Sequence, residues 1–375
     1  MSSFSRTDRS ILGRWWWTVD RWNLIALVLL AAIGAILTMA AAPGAAERIG
    51  YEPFHFVRNQ FVFFGPAIIL LITVSLFTPT TIRRFAAIGL ILALILMVIT
   101  LLAGFEAKGA IRWISLGGFS IQPSEFLKPC FAVVAAWMFA AQKNDPKFPG
   151  RIIASSLFIL VIGLLILQPD FGMTITVTAV WFVQFFLAGL PMLWVAIGLV
   201  GGLGLVVAAY TVLPHVADRI DRFIYPEIGD QYNVNTSLKA FENGGLFGIG
   251  PGEGLVKVDL PESHTDFIFA VAGEEFGALA CLLIVGLFGF IVLRGFSRVL
   301  RDANLFILLS VAGLLTQFGL QALINMGVAV RLLPAKGMTL PFVSYGGSSL
   351  IATAIGMGMV LALTRSNYLK REDQK

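Results

Sequence analysis

The chain has 375 residues, of which 57% are hydrophobic and 13% are charged. Soluble domains carry roughly 25% charged residues, so this composition excludes a water-solvated surface over most of the molecule. The formal net charge of +5 is spread along the chain without a lysine- and arginine-rich tract, and we therefore expect no nucleic-acid partner.

Apolar runs of about 20 residues recur along the whole chain, and each is long enough to cross roughly 30 Å of hydrocarbon as a helix. They predict an all-α integral membrane protein, a polytopic bundle of about ten transmembrane helices that forms one membrane domain over residues 1–375. The predicted spans are 22–43, 58–78, 85–104, 126–142, 151–167, 171–189, 192–213, 267–293, 303–326 and 346–364. A large polar loop, residues 214–266, separates the seventh span from the eighth.

The distribution of charge predicts the orientation of this bundle. If both termini lie in the cytoplasm, 16 of the 27 basic residues fall on the inner side, and 16 of the 22 acidic residues fall on the outer side or at its membrane edge. Lysine and arginine favour the cytoplasmic side of a membrane. We therefore expect residues 1–21 and 365–375 to be cytoplasmic, and the loop 214–266 to be periplasmic.

The first polar segment on the outer side leads into the fourth span. Its candidate side chains are Arg112, Trp113, Gln122, Ser124, Glu125 and Lys128. Glu125 and Lys128 are three residues apart, so on a helix they share a face and can pair. A lone charge inside hydrocarbon costs about 2.5–3.5 kcal/mol, so Lys128 is expected to face protein or a water-filled cavity. The pair either locks the entry of the helix or lines a substrate cavity.

The second outer segment is the end of the long loop, where His264 and Asp266 precede the eighth span. Asp266 has two possible roles. An aspartate at the start of a helix is a favoured N-cap, whereas a carboxylate that loses part of its water binds a proton more tightly and becomes a better general base. Glu274 and Glu275 follow in the same span, and for them we expect a structural polar network. The glycines of residues 244–254 allow tight turns and close approach of the backbone to a ligand.

The third outer segment is residues 331–349, which contain two prolines and a run of glycine and serine. This pattern predicts an irregular re-entrant turn followed by a closely packed helix. Lys336 is its candidate for contact with an anionic headgroup. Because the three segments are predicted on one side of the membrane, we expect them to meet in space.

Four groups of residues resemble the SEDS family, the RodA and FtsW type, over most of the chain. They are 108–113 with 122–128, 168–172, 260–269 with 273–275, and 333–349, and they occur in the family's order. The amino-acid sequence of residues 336–342 is more similar to the FtsW division branch than to the RodA elongation branch. Asp266 occupies the position of the family's essential loop aspartate.

The resemblance implies a peptidoglycan glycosyltransferase that polymerises lipid II at the outer face of the bacterial inner membrane during cell division. It implies an inverting reaction that releases undecaprenyl diphosphate, with Asp266 as the catalytic residue. Lys128, Glu125, Arg112, Trp113, Gln122, Ser124, His264 and Lys336 are the candidate substrate-binding residues.

The implied partners are a class B penicillin-binding transpeptidase and other membrane proteins of the division machinery. No organic cofactor is expected, although a divalent cation, Mg²⁺ or Mn²⁺, is a candidate for neutralising the diphosphate. The alternatives are a lipid II flippase or other transporter, a scaffold for division proteins, and a RodA-like elongation member of the same family.

Overall fold

A computed structural model describes residues 10–107, 110–116, 119–189, 232–300, 304–334 and 337–365, with eight single positions between 200 and 221. Most of the predicted seventh span, 192–213, therefore lies outside the described residues. Lys336 lies outside them as well.

In its described residues, the chain forms twelve helices and three short strands. The helices are α1 (Ile11–Thr18), α2 (Arg21–Arg48), α3 (His55–Ser75), α4 (Pro79–Ala103), α5 (Pro123–Asn144), α6 (Gly150–Leu167), α7 (Phe171–Leu187), α8 (Tyr232–Gly244), α9 (Val256–Asp259), α10 (Ile268–Val299), α11 (Leu305–Ala329) and α12 (Gly347–Leu363). The strands are β1 (Phe105–Ala107), β2 (Ala110–Leu116) and β3 (Phe119–Ile121).

Within the described residues, seven helices are long and apolar enough to cross a membrane, namely α2, α3, α4, α5, α6, α10 and α11. Helices α7 and α12 are also apolar but have 17 residues each. These elements confirm the helical membrane class. They also coincide with nine of the predicted spans to within several residues, because the apolar runs that set the spans also set the helices.

Helices α5 and α11 form the centre of the bundle. Their most apolar windows are 78% and 72% buried, whereas the corresponding windows of the other five long helices are 22–39% buried. These five helices lie at the periphery of the bundle and therefore present most of their surface to lipid. Any polar side chain carried by α5 or α11 must find its partner inside the protein.

The all-α prediction is wrong for residues 105–121, which form a three-stranded antiparallel sheet in the order β1-β2-β3. Strand β2 contains Ile111, Trp113 and Ile114, which are residue types that favour strands. Long apolar runs carry no information about an element this short. The sheet lies between α4 and α5 and ends immediately before the entry of α5.

The described part of the predicted polar loop, residues 232–266, contains the helices α8 and α9. The chain between these helices packs against a break in α10 at Gly277, where φ is 78°. Ala278 N donates to Gly245 O at 2.9 Å, and Ile249 N donates to Glu274 O at 3.1 Å. A Cβ at Gly277 would lie 2.4 Å from Gly248 N, so the close contact requires glycine.

The glycines of this segment therefore allow close approach to the backbone of α10. The sequence had suggested that they allow close approach to a ligand. Glu274 accepts hydrogen bonds from Val256 N and Lys257 N, both at 2.8 Å, and from Asn243 Nδ2 at 3.0 Å. Glu275 accepts a hydrogen bond from Gly252 N at 3.1 Å and forms an ion pair with Lys257. These contacts agree with the structural network expected for the two glutamates.

The far end of α10 is tied to the start of α2. The fully buried carboxylate of Asp20 accepts hydrogen bonds from Arg294 Nε at 2.9 Å, and Arg298 Nε lies 2.8 Å from the same oxygen. A buried carboxylate requires such partners, because an unpaired charge away from water is costly. This cluster lies at the end of the bundle opposite to Asp266.

Candidate functional site

Asp266 lies in the turn 261–267 that leads into α10, and its side chain is partly exposed. The turn is closed by two hydrogen bonds to Glu262 O, from Thr265 N at 3.0 Å and from Phe267 N at 3.2 Å. The N-cap position of α10 is Phe267. Asp266 immediately precedes that position, so it is not the N-cap residue itself. Its role as a general base stays a prediction.

The carboxylate of Asp266 lies against Gly337, the first described residue after 334 in the third outer segment. A Cβ built on Gly337 would be 2.9 Å from Asp266 Oδ2. Real Cβ atoms essentially never approach another heavy atom this closely, so a side chain at residue 337 would displace the carboxylate. The second and third outer segments are therefore in direct contact at the proposed catalytic residue.

His264 joins the same turn to an aromatic cluster at the start of α3. Its ring stacks on Phe56 with a centroid distance of 4.3 Å and lies 5.4 Å from the ring of Tyr345. Tyr345 N donates to His264 O at 2.9 Å. Burial raises the pKa of the Tyr345 phenol, although its hydrogen bond with Asn59 lowers it. The phenol therefore stays protonated near neutral pH.

Glu125 and Lys128 form the ion pair that their spacing predicted, with Nζ and Oε2 2.8 Å apart. Both residues are almost fully buried, at 5% and 2% exposure. Lys128 Nζ also donates to Gln321 Oε1 at 2.8 Å. Gln321 Nε2 in turn donates to Thr339 O at 3.0 Å, which connects the ion pair of α5 to the third outer segment.

Gln122 and Ser124 lie at the entry of α5 and face the break between α6 and α7. Gln122 Nε2 lies 3.1 Å from Ser124 Oγ and 3.3 Å from Asp170 Oδ2. The main-chain N of Gln122 donates to Ser348 Oγ at 3.2 Å, which brings the first and third outer segments together.

Arg112 contacts the residues between α6 and α7. Its Nε donates to Gln168 O at 3.1 Å, and its guanidinium lies 3.9 Å from the carboxylate of Asp170. The side chain of Arg112 remains 26% exposed. Trp113 is partly buried and pairs with Phe105 across β1 and β2.

The structure therefore brings the three outer segments together, as their common side predicted. Further contacts are Ser344 Oγ to Thr265 O at 2.5 Å and Asn325 Nδ2 to both Asp266 O and Met338 O. Among the residues that the structure describes, no group of three or more His, Cys, Asp or Glu is placed to hold a metal ion.

Two residues of this arrangement, Gln321 and Asn325, were missed by sequence reasoning. They lie four residues apart on α11 and contact the second and third outer segments. The available signal was the presence of amide side chains, Gln317 among them, inside a mostly apolar span, where polar groups are costly and therefore need partners.

The sequence profile of the cell cycle protein family FTSW_RODA_SPOVE matches residues 21–369, which is nearly the whole chain. This chain belongs to the FtsW/RodA/SpoVE family. The "Probable peptidoglycan glycosyltransferase FtsW" of Caulobacter vibrioides is 42% identical over 368 residues, covering 97% of this chain and 93% of the relative. The "Stage V sporulation protein E" of Bacillus subtilis is 33% identical, covering 91% of this chain and 96% of the relative.

Solved structures share the fold of this chain. One, described as "Structural coordination of polymerization and crosslinking by a peptidoglycan synthase complex", has a TM-score of 0.79 at 28% identity, covering 94% of this chain and 99% of that chain. The crystal structure of Thermus thermophilus rod shape determining protein RodA has a TM-score of 0.66 at 27% identity, covering 93% and 97%. Several relatives carry the name FtsW, which supports the FtsW-like branch predicted from the sequence.

Proposed function

We propose that this protein polymerises lipid II into glycan strands at the outer face of the bacterial inner membrane, in septal wall synthesis. The observation that carries the proposal is the carboxylate of Asp266, which lies against Gly337 where the second and third outer segments meet. Membership of the FtsW/RodA/SpoVE family and the names of the relatives support the same activity.

In the proposed reaction, Asp266 takes the proton from the 4-hydroxyl of the acceptor's N-acetylglucosamine. The freed oxygen attacks the anomeric carbon of the lipid-linked donor, and the bond from that carbon to the diphosphate oxygen breaks. Undecaprenyl diphosphate leaves with the bonding electrons, and the configuration at the anomeric carbon inverts. One base is sufficient, because the leaving diphosphate needs its charge neutralised more than it needs a proton.

The leaving diphosphate requires a nearby cation, and the two candidates with described side chains differ in exposure. Lys128 is 2% exposed and is already bonded to Glu125 and Gln321, so it acts from within the protein. Arg112 keeps 26% of its side chain exposed and is the more accessible charge. A divalent cation such as Mg²⁺ or Mn²⁺ is a further candidate, carried mainly by the substrate's phosphates, as Mg²⁺ often is.

The proposed topology has ten spans with both termini in the cytoplasm, so that Asp266 lies at the periplasmic ends of the helices. The proposed partner is a class B penicillin-binding transpeptidase, together with other membrane proteins of the division machinery. A structural relative described as a peptidoglycan synthase complex that coordinates polymerisation and crosslinking supports such a pairing.

A transporter of lipid II would favour charges buried near the middle of the spans. In the described part of the chain, the buried charged residues lie within about two turns of a helix start. They are Asp20, Glu125, Lys128, Asp170, Lys257, Glu274 and Glu275. The distribution favours the enzyme over the transporter.

The deciding experiment is glycan-strand synthesis from pure lipid II by the purified protein, with and without the partner transpeptidase, and with Mg²⁺, Mn²⁺ or a chelator. We expect strands in at least one of these conditions. Absence of strands in all of them, combined with movement of lipid II across protein-containing vesicles, would favour the transporter instead.

A further inference from the structure

Helix α11 carries three buried amides at intervals of four residues, Gln317, Gln321 and Asn325. Their exposures are 7%, 2% and 1%. Residues four apart lie on one face of a helix, so the amides form a polar stripe inside a membrane-spanning element. Polar groups at such places are costly and are kept where they hold a structure or serve a function.

Asn325 uses its amide nitrogen to join the two segments that enclose the Asp266 carboxylate. Its Nδ2 donates to Asp266 O at 2.8 Å and to Met338 O at 2.6 Å. Gly337, the residue before Met338, is the one whose Cβ position lies 2.9 Å from Asp266 Oδ2. Both donors of one side chain therefore fix the main chain on either side of that close contact.

This arrangement has an energetic cost at the amide oxygen of Asn325, Oδ1. Within the described residues, Asn325 Oδ1 is buried without a hydrogen-bond partner. A buried acceptor left without a partner costs about 1–3 kcal/mol. Turning the amide over would direct this oxygen at two carbonyl oxygens, so the observed orientation is the favourable one.

Gln321, one turn earlier on α11, holds the cationic side of the site. It accepts from Lys128 Nζ at 2.8 Å and donates to Thr339 O at 3.0 Å. A single rigid helix turn thus connects the ammonium group of Lys128 to the main chain of Asp266. The distance between the two groups cannot change without breaking one of these hydrogen bonds.

We propose that Asn325 is a positioning residue for the reaction, which sets the place of the Asp266 carboxylate through the main chain of residues 266 and 338. It acts through Asp266 and does not touch the substrate. This inference rests on the proposed function, since it requires Asp266 to be the base.

The test compares Asn325→Leu with Gln317→Leu in purified protein, with lipid II as the substrate. Gln317 belongs to the same stripe, and in the described part of the chain it contacts neither of the two segments through a side-chain hydrogen bond. We expect Asn325→Leu to lower kcat by about 10- to 100-fold with KM changed by less than about threefold, because misplacement of a reacting group affects turnover more than binding. Gln317→Leu is expected to leave kcat within about threefold of wild type by the same reasoning.

Asn325→Ser keeps one donor in a smaller side chain and is expected to give an intermediate kcat. This second variant tests the proposal even where Asn325→Leu does not fold. Equal loss of kcat in the Gln317 and Asn325 variants, or a wild-type kcat in Asn325→Leu or Asn325→Ser, would overturn the positioning role. Asp266→Asn, assayed alongside, separates the two proposals. If the wild-type protein makes no strands, the proposed function fails, and if Asp266→Asn keeps wild-type polymerisation, the role of Asp266 as the base fails. If Asp266→Asn is inactive while Asn325→Leu turns over normally, only the positioning role fails.

Discussion

Gly337 leaves room for the carboxylate of Asp266, and this contact can be tested with one methyl group. In Gly337→Ala the new Cβ would start 2.9 Å from Oδ2, so the carboxylate must move away. A shift of about 1 Å in a reacting group costs on the order of 100-fold in rate. Ordinary contact begins at 3.4 Å, so the carboxylate must move by about 0.5 Å. We therefore expect a loss of about 10-fold in lipid II polymerisation, measured by strand synthesis, with little change in Tm.

The matched control is Gly163→Ala in α6, where an added Cβ meets no atom within 4 Å. This variant should polymerise at the wild-type rate. If Gly337→Ala were as active as the control, Asp266 would not need the position that the structure gives it.

Single residues also show what the sequence could predict about the site. The pairing of Glu125 with Lys128 follows from their spacing, since that contact lies within one helix turn. The bond from Asn325 to Asp266 O spans 59 positions of the chain and depends on how α11 packs against the turn before α10. No local pattern contains that information.

At the scale of helices, α10 depends on glycine at its break. Gly277 has φ of 78° and ψ of −179°, a region that is essentially open to glycine alone. A Cβ added at residue 277 would also lie 2.4 Å from Leu246 O. We expect Gly277→Ala to lower the free energy of unfolding by at least about 1–3 kcal/mol, the usual cost of such a backbone conformation.

Thermal unfolding in detergent measures this effect, with Gly286→Ala in the same helix as the control. Residue 286 has no atom within 4 Å of an added Cβ, so its Tm should stay the same or rise. Equal Tm values for the two variants would contradict the role assigned to the break.

The elements themselves were predictable to different degrees. Long apolar runs predicted the seven described helices that are long enough to cross a membrane and the two shorter apolar helices, α7 and α12. Hydrocarbon thickness and the need to satisfy backbone hydrogen bonds leave few alternatives. The small sheet of residues 105–121 and the packing of 245–250 on α10 were not predicted. Both depend on contacts between short polar segments, which hydrophobicity does not encode.

At the scale of the whole molecule, the proposed orientation rests on the charge distribution and can be tested by labelling. Glu253 lies in the connection between α8 and α9, whereas Asp145 lies between α5 and α6, and both are exposed. The native Cys130 and Cys281 are buried, so they should give little background. In spheroplasts, a membrane-impermeant maleimide should label Glu253→Cys but not Asp145→Cys.

Permeabilised cells provide the control, since both introduced cysteines should then react. The reverse pattern in spheroplasts would place Asp266 on the cytoplasmic side. Lipid II polymerisation at the outer face would then be excluded for this carboxylate.

Asp266 is the group proposed to remove the proton from the acceptor hydroxyl, and every step of the proposed reaction requires it. The measurement is polymerisation of pure lipid II by purified Asp266→Asn protein, with lipid II binding determined on the same preparation. General-base catalysis contributes about 10²- to 10⁴-fold, so we predict a rate loss within or above that range while binding stays within about threefold. Polymerisation by the Asp266→Asn protein at the wild-type rate would contradict the account.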